Sequence, residues 1–272
     1  MNILVADPAK NITVFILDVI ENPGERDAMV RAVMADSRIK AEQVGFVIPP
    51  EAAIGSDPDA ALWRLEMAGG EFCGNAARSF GLYVAREKGL KGRSRFPVSV
   101  SGMDMPLQVE VDTEYSRAAV EMPRPVFIDT LDYCGRSLPV LVFEGITHII
   151  APALEPDRET FFSIKELFEK KFSGKHGFSF PALGVMFYDT DNLFMRPAVY
   201  VYSTGVLVFE SSCGSGSAAL GTWLSRGKQN GTVKYSISQP GGIIETEVTK
   251  KADKINLITI GGKAELGEPE QF

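Results

Sequence analysis

The chain has 272 residues, 45% of them hydrophobic and 23% charged, with a formal net charge of -7. That length and apolar content suit one large or two ordinary globular domains. The acidic balance, with no Lys/Arg cluster to override it, excludes nucleic acid and anionic membrane as partners. No apolar run has the length of a transmembrane helix, and Met1 to Asp7 carry neither a basic n-region nor a cleavage site, so the expected location is cytoplasmic. Three widely spaced cysteines make no disulfide framework, and in a reducing compartment each is expected as a thiol.

In chain order, Val5 to Asp18 reads as two short strands broken at Pro8-Ala9-Lys10-Asn11. Asn22, Pro23 and Glu25 form a helix start, a side-chain cap followed by proline at the first helical position, with Met29, Val30, Val33 and Met34 as the apolar stripe. A strand follows at Val44 to Ile48, then a turn-rich linker at Pro49 to Ala61. A further strand at Leu62 to Met67 leads through the Gly69-Gly70 turn to Cys73. From Asn75 to Lys88 the residues are apolar or small nearly all round, which marks a buried helix ended by Gly89. Alternating strands are expected at Phe96 to Ser101, Met105 to Val111 and Arg117 to Glu121.

The second half repeats this programme. Strands are expected at Val140 to Phe143 and His148 to Ala151, then a helix capped by Asp157 with Phe161, Ile164, Leu167, Phe168 and Phe172 inward. Strands at Val185 to Tyr188 and Ala198 to Phe209 lead to Cys213 and a small-residue helix reaching Lys228, with strands near Tyr235, Ile243 and Ile255. The duplication is clearest where Glu71-Phe72-Cys73-Gly74-Asn75-Ala76-Ala77-Arg78-Ser79 is echoed by Glu210-Ser211-Ser212-Cys213-Gly214-Ser215-Gly216-Ser217-Ala218-Ala219. Gly81 and Gly221 both lie eight residues after their cysteine, and Arg86 and Arg226 thirteen after. The expected fold is therefore α/β (α+β), in two pseudo-symmetric halves with a cleft between them. Residues 1–120 carry Cys73 and are completed by 263–272, while residues 121–262 carry Cys213.

A thiol at a helix N-terminus faces the positive end of the helix dipole and unpaired backbone N–H groups, which favour thiolate. The same N–H groups hold a carboxylate, and two such ends facing one another suit an amino acid.

Several runs resemble the cofactor-independent two-cysteine racemases and epimerases typified by diaminopimelate epimerase. They are Glu42-Gln43-Val44-Gly45-Phe46, Gly70-Glu71-Phe72-Cys73-Gly74-Asn75, Val98-Ser99-Val100-Ser101-Gly102, Ser212-Cys213-Gly214-Ser215-Gly216 and Gln239-Pro240-Gly241-Gly242. Within that superfamily the first two runs resemble the histidine racemases that supply D-histidine for opine metallophores of the staphylopine type. The resemblance implies two strand-rich barrel domains, each around a central helix and each giving one catalytic cysteine. It also implies that Asn11 reaches the substrate, although Lys10 stands where the family has glycine. Diaminopimelate itself fits poorly: the motif that holds its distal charges reads Gly145-Ile146-Thr147-His148 here, and an apolar Ile146 binds no charge.

Inverting an α-carbon needs a base on one face and an acid on the other. Cys73 and Cys213 take these roles, and the N–H groups of Gly74, Asn75, Gly214 and Ser215 bind the carboxylate as charge develops on it. One such donor is typically worth about 3 kcal/mol of barrier. Glu42 and Glu210 are the carboxylates expected to meet the ammonium and an imidazole N–H; the plain alternative is a solvated or strand-edge carboxylate. Cys134 has no helix after it and reads as inert, and His148 and His176 read as structural or surface residues. No Cys/His set has zinc-ligand spacing and no phosphate loop or dinucleotide fingerprint is present. The second cysteine makes pyridoxal phosphate unnecessary, so no cofactor is expected. The small-molecule partner is an amino acid, and the sequence leaves open whether the chain forms a homodimer. Competing readings are a diaminopimelate or proline-type epimerase and, from another class, a thiol redox or amino-acid-binding protein; redox cysteines, however, usually stand two residues apart.

Overall fold

The structure is a computed structural model that describes residues 1–50, 62–172 and 181–272; residues 51–61 of the expected linker, and His176, lie outside the described residues. The chain divides into two compact units, Met1–Glu121 with Ile260–Phe272, and Met122–Thr259.

In the first unit, β1 (Asn2–Asp7) pairs antiparallel with β2 (Thr13–Ile16), and α1 (Pro23–Ala35) carries the chain to β3 (Gln43–Ile48), parallel to β2. The α1 start is built as its residues dictate: Asn22 Oδ1 accepts from the N–H groups of Gly24 and Glu25 at 2.8 and 3.3 Å. β4 (Arg64–Met67) turns back antiparallel, and α2 (Gly74–Glu87) crosses to β5 (Arg93–Val100), parallel to β4. β5, β6 (Leu107–Asp112) and β7 (Arg117–Glu121) form an antiparallel meander, and the short segments Glu265–Leu266 and Glu270–Gln271 return to pair with β1.

The second unit runs through β8 (Phe127–Tyr133), β9 (Arg136–Val142) and β10 (Thr147–Pro152), all antiparallel. Helix α3 (Arg158–Phe172), capped by Asp157 Oδ1 on the Thr160 N–H at 2.8 Å, leads to β11 (Ala182–Asp189), parallel to β10. β12 (Phe194–Val201) and β13 (Val206–Phe209) follow antiparallel. Helix α4 (Gly214–Leu224) then crosses to β14 (Gly231–Gln239), parallel to β12 at Phe194, and β15 (Gly242–Lys251) closes antiparallel.

Each unit thus uses two parallel crossovers, with its helices packed on opposite faces of its strands. In the second unit Ile149, Val185 and Phe187 join the core under α3 with Phe161, Ile164, Phe168 and Phe172, while Ile150 and Met186 join the core under α4. Alternate residues of one strand therefore feed opposite cores, which is why these strands read as continuous apolar runs. Full burial of each large side chain contributes about 1.5–3 kcal/mol. In the first unit Val14 and Ile16 pack with Met29 and Val33 of α1, while Phe15 points the other way, edge-on to Phe80 of α2.

The duplicated glycines have the same job in both units. A Cβ on Gly81 would come within 3.1 Å of Val109 on β6, and one on Gly221 within 2.6 Å of Thr246 on β15. A strand side chain packs directly on the helix at each glycine, tightly at Gly81 and so closely at Gly221 that Thr246 would have to shift for a Cβ. The duplicated arginines also match: Arg86 lies over Tyr83 and Arg226 over Trp223, at 5.8 and 5.0 Å from the ring centres.

The strand-rich α+β architecture, two units each with strands packed on a central helix, is as expected. Among the described residues the sheet does not close, so "barrel" describes the wrapping rather than a complete ring. Smaller expectations are corrected. Met34 and Leu167 are exposed, because the buried stripe runs through Met29 and Val33 on α1 and through Phe161, Ile164, Phe168 and Phe172 on α3, and each lies beside it. The stretch Ala198 to Phe209 is a hairpin turning at Gly205, whose φ is +67°. Helix α4 ends at Leu224 rather than Lys228: beyond it the chain tightens into turns, with the Arg226 N–H on the Trp223 carbonyl and the Lys228 N–H on the Ser225 carbonyl, and Lys250 Nζ satisfies the free carbonyls of Arg226 and Lys228 at 3.1 and 2.6 Å. β8 was not anticipated; its residues are mostly half-buried and show little alternation. No described helix is long and apolar enough to cross a membrane.

Candidate active site

Cys73 and Cys213 are the N-cap residues of α2 and α4, with φ/ψ of -125°/112° and -129°/114°. Each Sγ accepts from the amide three residues on, Ala76 and Gly216, at 3.4 Å. Sulfur stands where a serine or aspartate oxygen ordinarily caps a helix. The first-turn amides of Gly74, Asn75, Gly214 and Ser215 consequently lie beside a thiol and beyond the reach of their own helix carbonyls.

The Cys213 backbone is locked by three bonds. Its N–H donates to Gln239 Oε1 at 2.8 Å, Gln239 Nε2 donates to Ser217 Oγ at 2.9 Å, and Ser217 Oγ donates to the Cys213 carbonyl at 2.7 Å. Ser215 Oγ lies 3.5 Å from Cys213 Sγ and 3.0 Å from His148 Nε2. His148, on β10, is fully buried, and burial pushes its pKa down to about 3, so the imidazole is neutral. It is not a surface residue but part of the setting of Cys213. The ring fits because β11 offers Gly184, where a Cβ would sit 2.4 Å from Nδ1.

Burial also pushes the Cys213 thiol well above its ordinary range, and the charge of Glu210 adds to this; hydrogen bonds from Ser215 and the Gly216 amide pull the other way. The thiolate preference expected from the helix terminus is overridden at Cys213, because the desolvation of a fully buried anion outweighs a capping bond and a partial dipole charge. Cys73 is only partly buried, and Cys134 is exposed in the β8–β9 turn.

In the first unit Asn11 is buried and donates through Nδ2 to Glu42 Oε2 at 2.7 Å, while Asn75 Nδ2 donates to Asn11 Oδ1 at 3.3 Å. Three residues expected to meet substrate thus form one chain. Burial raises the Glu42 pKa, the Asn11 bond opposes that, and Asp7 adds a smaller rise. The departure at Lys10 has a physical explanation: Ala9 and Lys10 adopt left-handed φ values of 66° and 61°, where glycine is free of strain. Asp7 holds the turn, accepting from the Lys10 N–H at 2.6 Å and from Lys10 Nζ at 2.9 Å.

The segment entering Cys73 is held by Ser101, whose Oγ accepts from the Met67 N–H at 2.9 Å and donates to the Glu71 carbonyl at 2.8 Å. Reasoning from residue types missed Gln239, Ser217, Ser101, Arg78 and the part played by His148. The signal was present: Gln239, Ser101 and His148 sit in runs compared with the family, and Arg78 sits in the Cys73 motif.

Residues 1–267 match the family model described as the histidine racemase CntK N-terminal domain. A histidine racemase from Fusobacterium nucleatum is 33% identical over 244 residues, covering 88% of this chain and 85% of the relative. Among solved structures, a predicted epimerase from Pseudomonas aeruginosa has a TM-score of 0.67 at 12% identity, covering 100% of this chain and 99% of that one. A hydroxyproline epimerase from Agrobacterium vitis, bound to trans-4-hydroxy-L-proline, has a TM-score of 0.63 at 13% identity, covering 99% and 91%. The structural likenesses speak for the fold, and the family match, spanning nearly every residue, speaks for kinship: the chain belongs to the histidine racemase family.

Proposed function

We propose that this chain is a cofactor-independent isomerase that interconverts L- and D-histidine, with Cys73 and Cys213 acting on opposite faces of the α-carbon. The observation that carries the reading is the pair of sulfur N-caps with nearly superimposable backbone angles, each beside first-turn amides suited to a carboxylate. In one direction the Cys73 thiolate takes the α-proton and becomes a thiol; the Cys213 thiol gives its proton to the other face and becomes a thiolate. After product leaves, Cys73 gives its proton to water and Cys213 takes one up, which restores the pair for the next L-histidine; a D-histidine that binds before this exchange is turned over in the reverse direction. A Cys213 that rests protonated is ready to donate, and Ser215 stands by to stabilise the thiolate it leaves. The amides of Gly74, Asn75, Gly214 and Ser215 bind the carboxylate and stabilise charge arising on it in the carbanion-like transition state. Asn11 and Glu42 contact the substrate from the first unit, and Glu210 contributes from the second. The enzyme works where thiols stay reduced, in the cytoplasm, and its D-histidine feeds metallophore assembly; the family resemblance supports that pathway.

The test is to incubate reduced protein with L-histidine and an amino-acid panel in D₂O, following the α-proton by NMR with chiral analysis alongside. Racemisation of histidine with α-exchange, abolished by Cys73→Ala and by Cys213→Ala but kept in Cys134→Ser, is expected. Exchange with another amino acid and silence with histidine would reassign the substrate, and silence with the whole panel would refute the enzymatic reading.

A further inference from the structure

Arg78, on α2, is completely buried, yet nothing in the proton-transfer chemistry uses it. Its Nε donates to Asn75 Oδ1 at 3.2 Å and its Nη1 donates to the Lys263 carbonyl at 3.0 Å. A guanidinium can only donate. Asn75 must therefore turn its oxygen to Arg78 and its NH₂ outward, to Asn11 Oδ1. Asn11, having accepted, must turn its own NH₂ to Glu42 Oε2. Amide orientation is ordinarily ambiguous, because oxygen and nitrogen are alike in size and shape. Here one end of the chain is a group without acceptors, so every bond after it has a forced direction.

We propose that Arg78 is a positioning residue: it sets the polarity of the Asn75–Asn11–Glu42 chain and so keeps Glu42 a pure acceptor, with one oxygen held by Asn11 and the other offered to an N–H donor of the substrate. The proposal rests on the histidine racemase reading, since an imidazole N–H or an α-ammonium is the donor it provides for. The buried guanidinium carries the polarity from the α2 interior out to the loop before β3, where Glu42 stands. The Lys263 carbonyl anchors its other end, which keeps Arg78 from turning to follow a reoriented amide.

The polarity is read directly in the free protein by side-chain amide NMR, as NOEs from the Asn11 NH₂ protons. In the wild type they are expected toward Glu42; NOEs toward Asn75 instead would overturn the proposal whatever the substrate proves to be. Asn75→Asp keeps an acceptor for Arg78 but presents oxygen to Asn11, so Asn11 is expected to flip and histidine KM to rise at least tenfold, with a smaller change in kcat. Unmoved Asn11 NOEs, or a KM within twofold of wild type, would refute it. Arg78→Lys retains a donor and is expected to lose no more than about fivefold in kcat/KM, whereas Arg78→Met loses at least tenfold more. Equal effects would show that Arg78 acts only by filling space. Should Arg78→Met fail to fold, the wild-type and Asn75→Asp measurements decide the matter. A wild type inert toward histidine would sink the functional reading and leave the NOE result to judge the chain.

Discussion

Replacing Gly102 by alanine tests how the chain brings Cys73 to its helix. Gly102 has φ of +73°, and a Cβ there would lie 2.4 Å from the Phe72 nitrogen and 2.9 Å from the Glu71 carbonyl carbon, both backbone atoms. The left-handed conformation alone costs an L-residue about 1–2 kcal/mol. Overpacking against atoms that cannot rotate aside adds about 1–3 kcal/mol, for a total of roughly 2–5 kcal/mol. Gly89 supplies the control, because it also has a positive φ, of +63°, with nothing within 4 Å of its added Cβ. Urea unfolding of Gly89→Ala should show only the conformational cost, about 1–2 kcal/mol. Gly102→Ala should lose a further 1–3 kcal/mol or so. Because the displaced atoms immediately precede Cys73, Gly102→Ala should also lose most of its racemase activity while Gly89→Ala keeps it. If the two variants are equally stable, the close approach of Gly102 to the Cys73 loop is wrong and so is the account of how that loop is held.

Two titrations follow from the second unit. In a Cys73→Ser/Cys134→Ser background, the pH midpoint for alkylation of Cys213 by iodoacetamide should lie above the ordinary thiol value of about 8.5, and Glu210→Gln should lower it by removing a charge that raises it; a midpoint at or below the ordinary value would contradict the burial argument. The folded state keeps a proton that the unfolded chain gives up, so this thiol costs stability as pH rises past about 8.5. For His148 the sign is reversed: with a folded pKa of about 3 against 6.5 unfolded, the unfolded chain takes the proton first. Stability present above pH 6.5 should therefore fall toward pH 3 at about 1.4 kcal/mol per unit from this group. His148→Gln should flatten that slope in denaturation series across the window, and an unchanged slope would mean the imidazole is solvated.

Much of the fold was legible because its determinants are local. Asn22-Pro23 and Asp157 start helices by satisfying nearby amides, and the alternation of Arg117 to Glu121 marks a half-buried strand whatever lies around it. The repeat was legible because Gly81 and Gly221 each answer the same need, close packing of a strand side chain on a central helix. Where local signals were read too far, the tertiary packing decided: the chain after Leu224 tightens into turns whose free carbonyls Lys250 satisfies, and Met34 and Leu167 fit the helical spacing but lie beside the buried stripe.

For the site, the sequence by itself determined the chemistry available: two cysteines at helix starts, small residues that expose amides, and Asn11, Glu42 and Glu210 as candidate contacts. Apart from Asn11, which the family resemblance supplied, those are properties of residue type and spacing, and they needed no partner to be read. Only the tertiary structure decided their states and orientations. Helix position alone argued for a thiolate at Cys213, but burial is a sum over everything packed around the sulfur, and it pushes the thiol up. His148 became a neutral neighbour of Ser215 because β10, β11 and α4 meet around it, and Arg78 acquired a direction to impose because Asn75, Asn11 and Glu42, up to 64 residues apart in sequence, come into hydrogen-bond reach. Desolvation and hydrogen-bond polarity are properties of surroundings, and a sequence read residue by residue does not contain its surroundings.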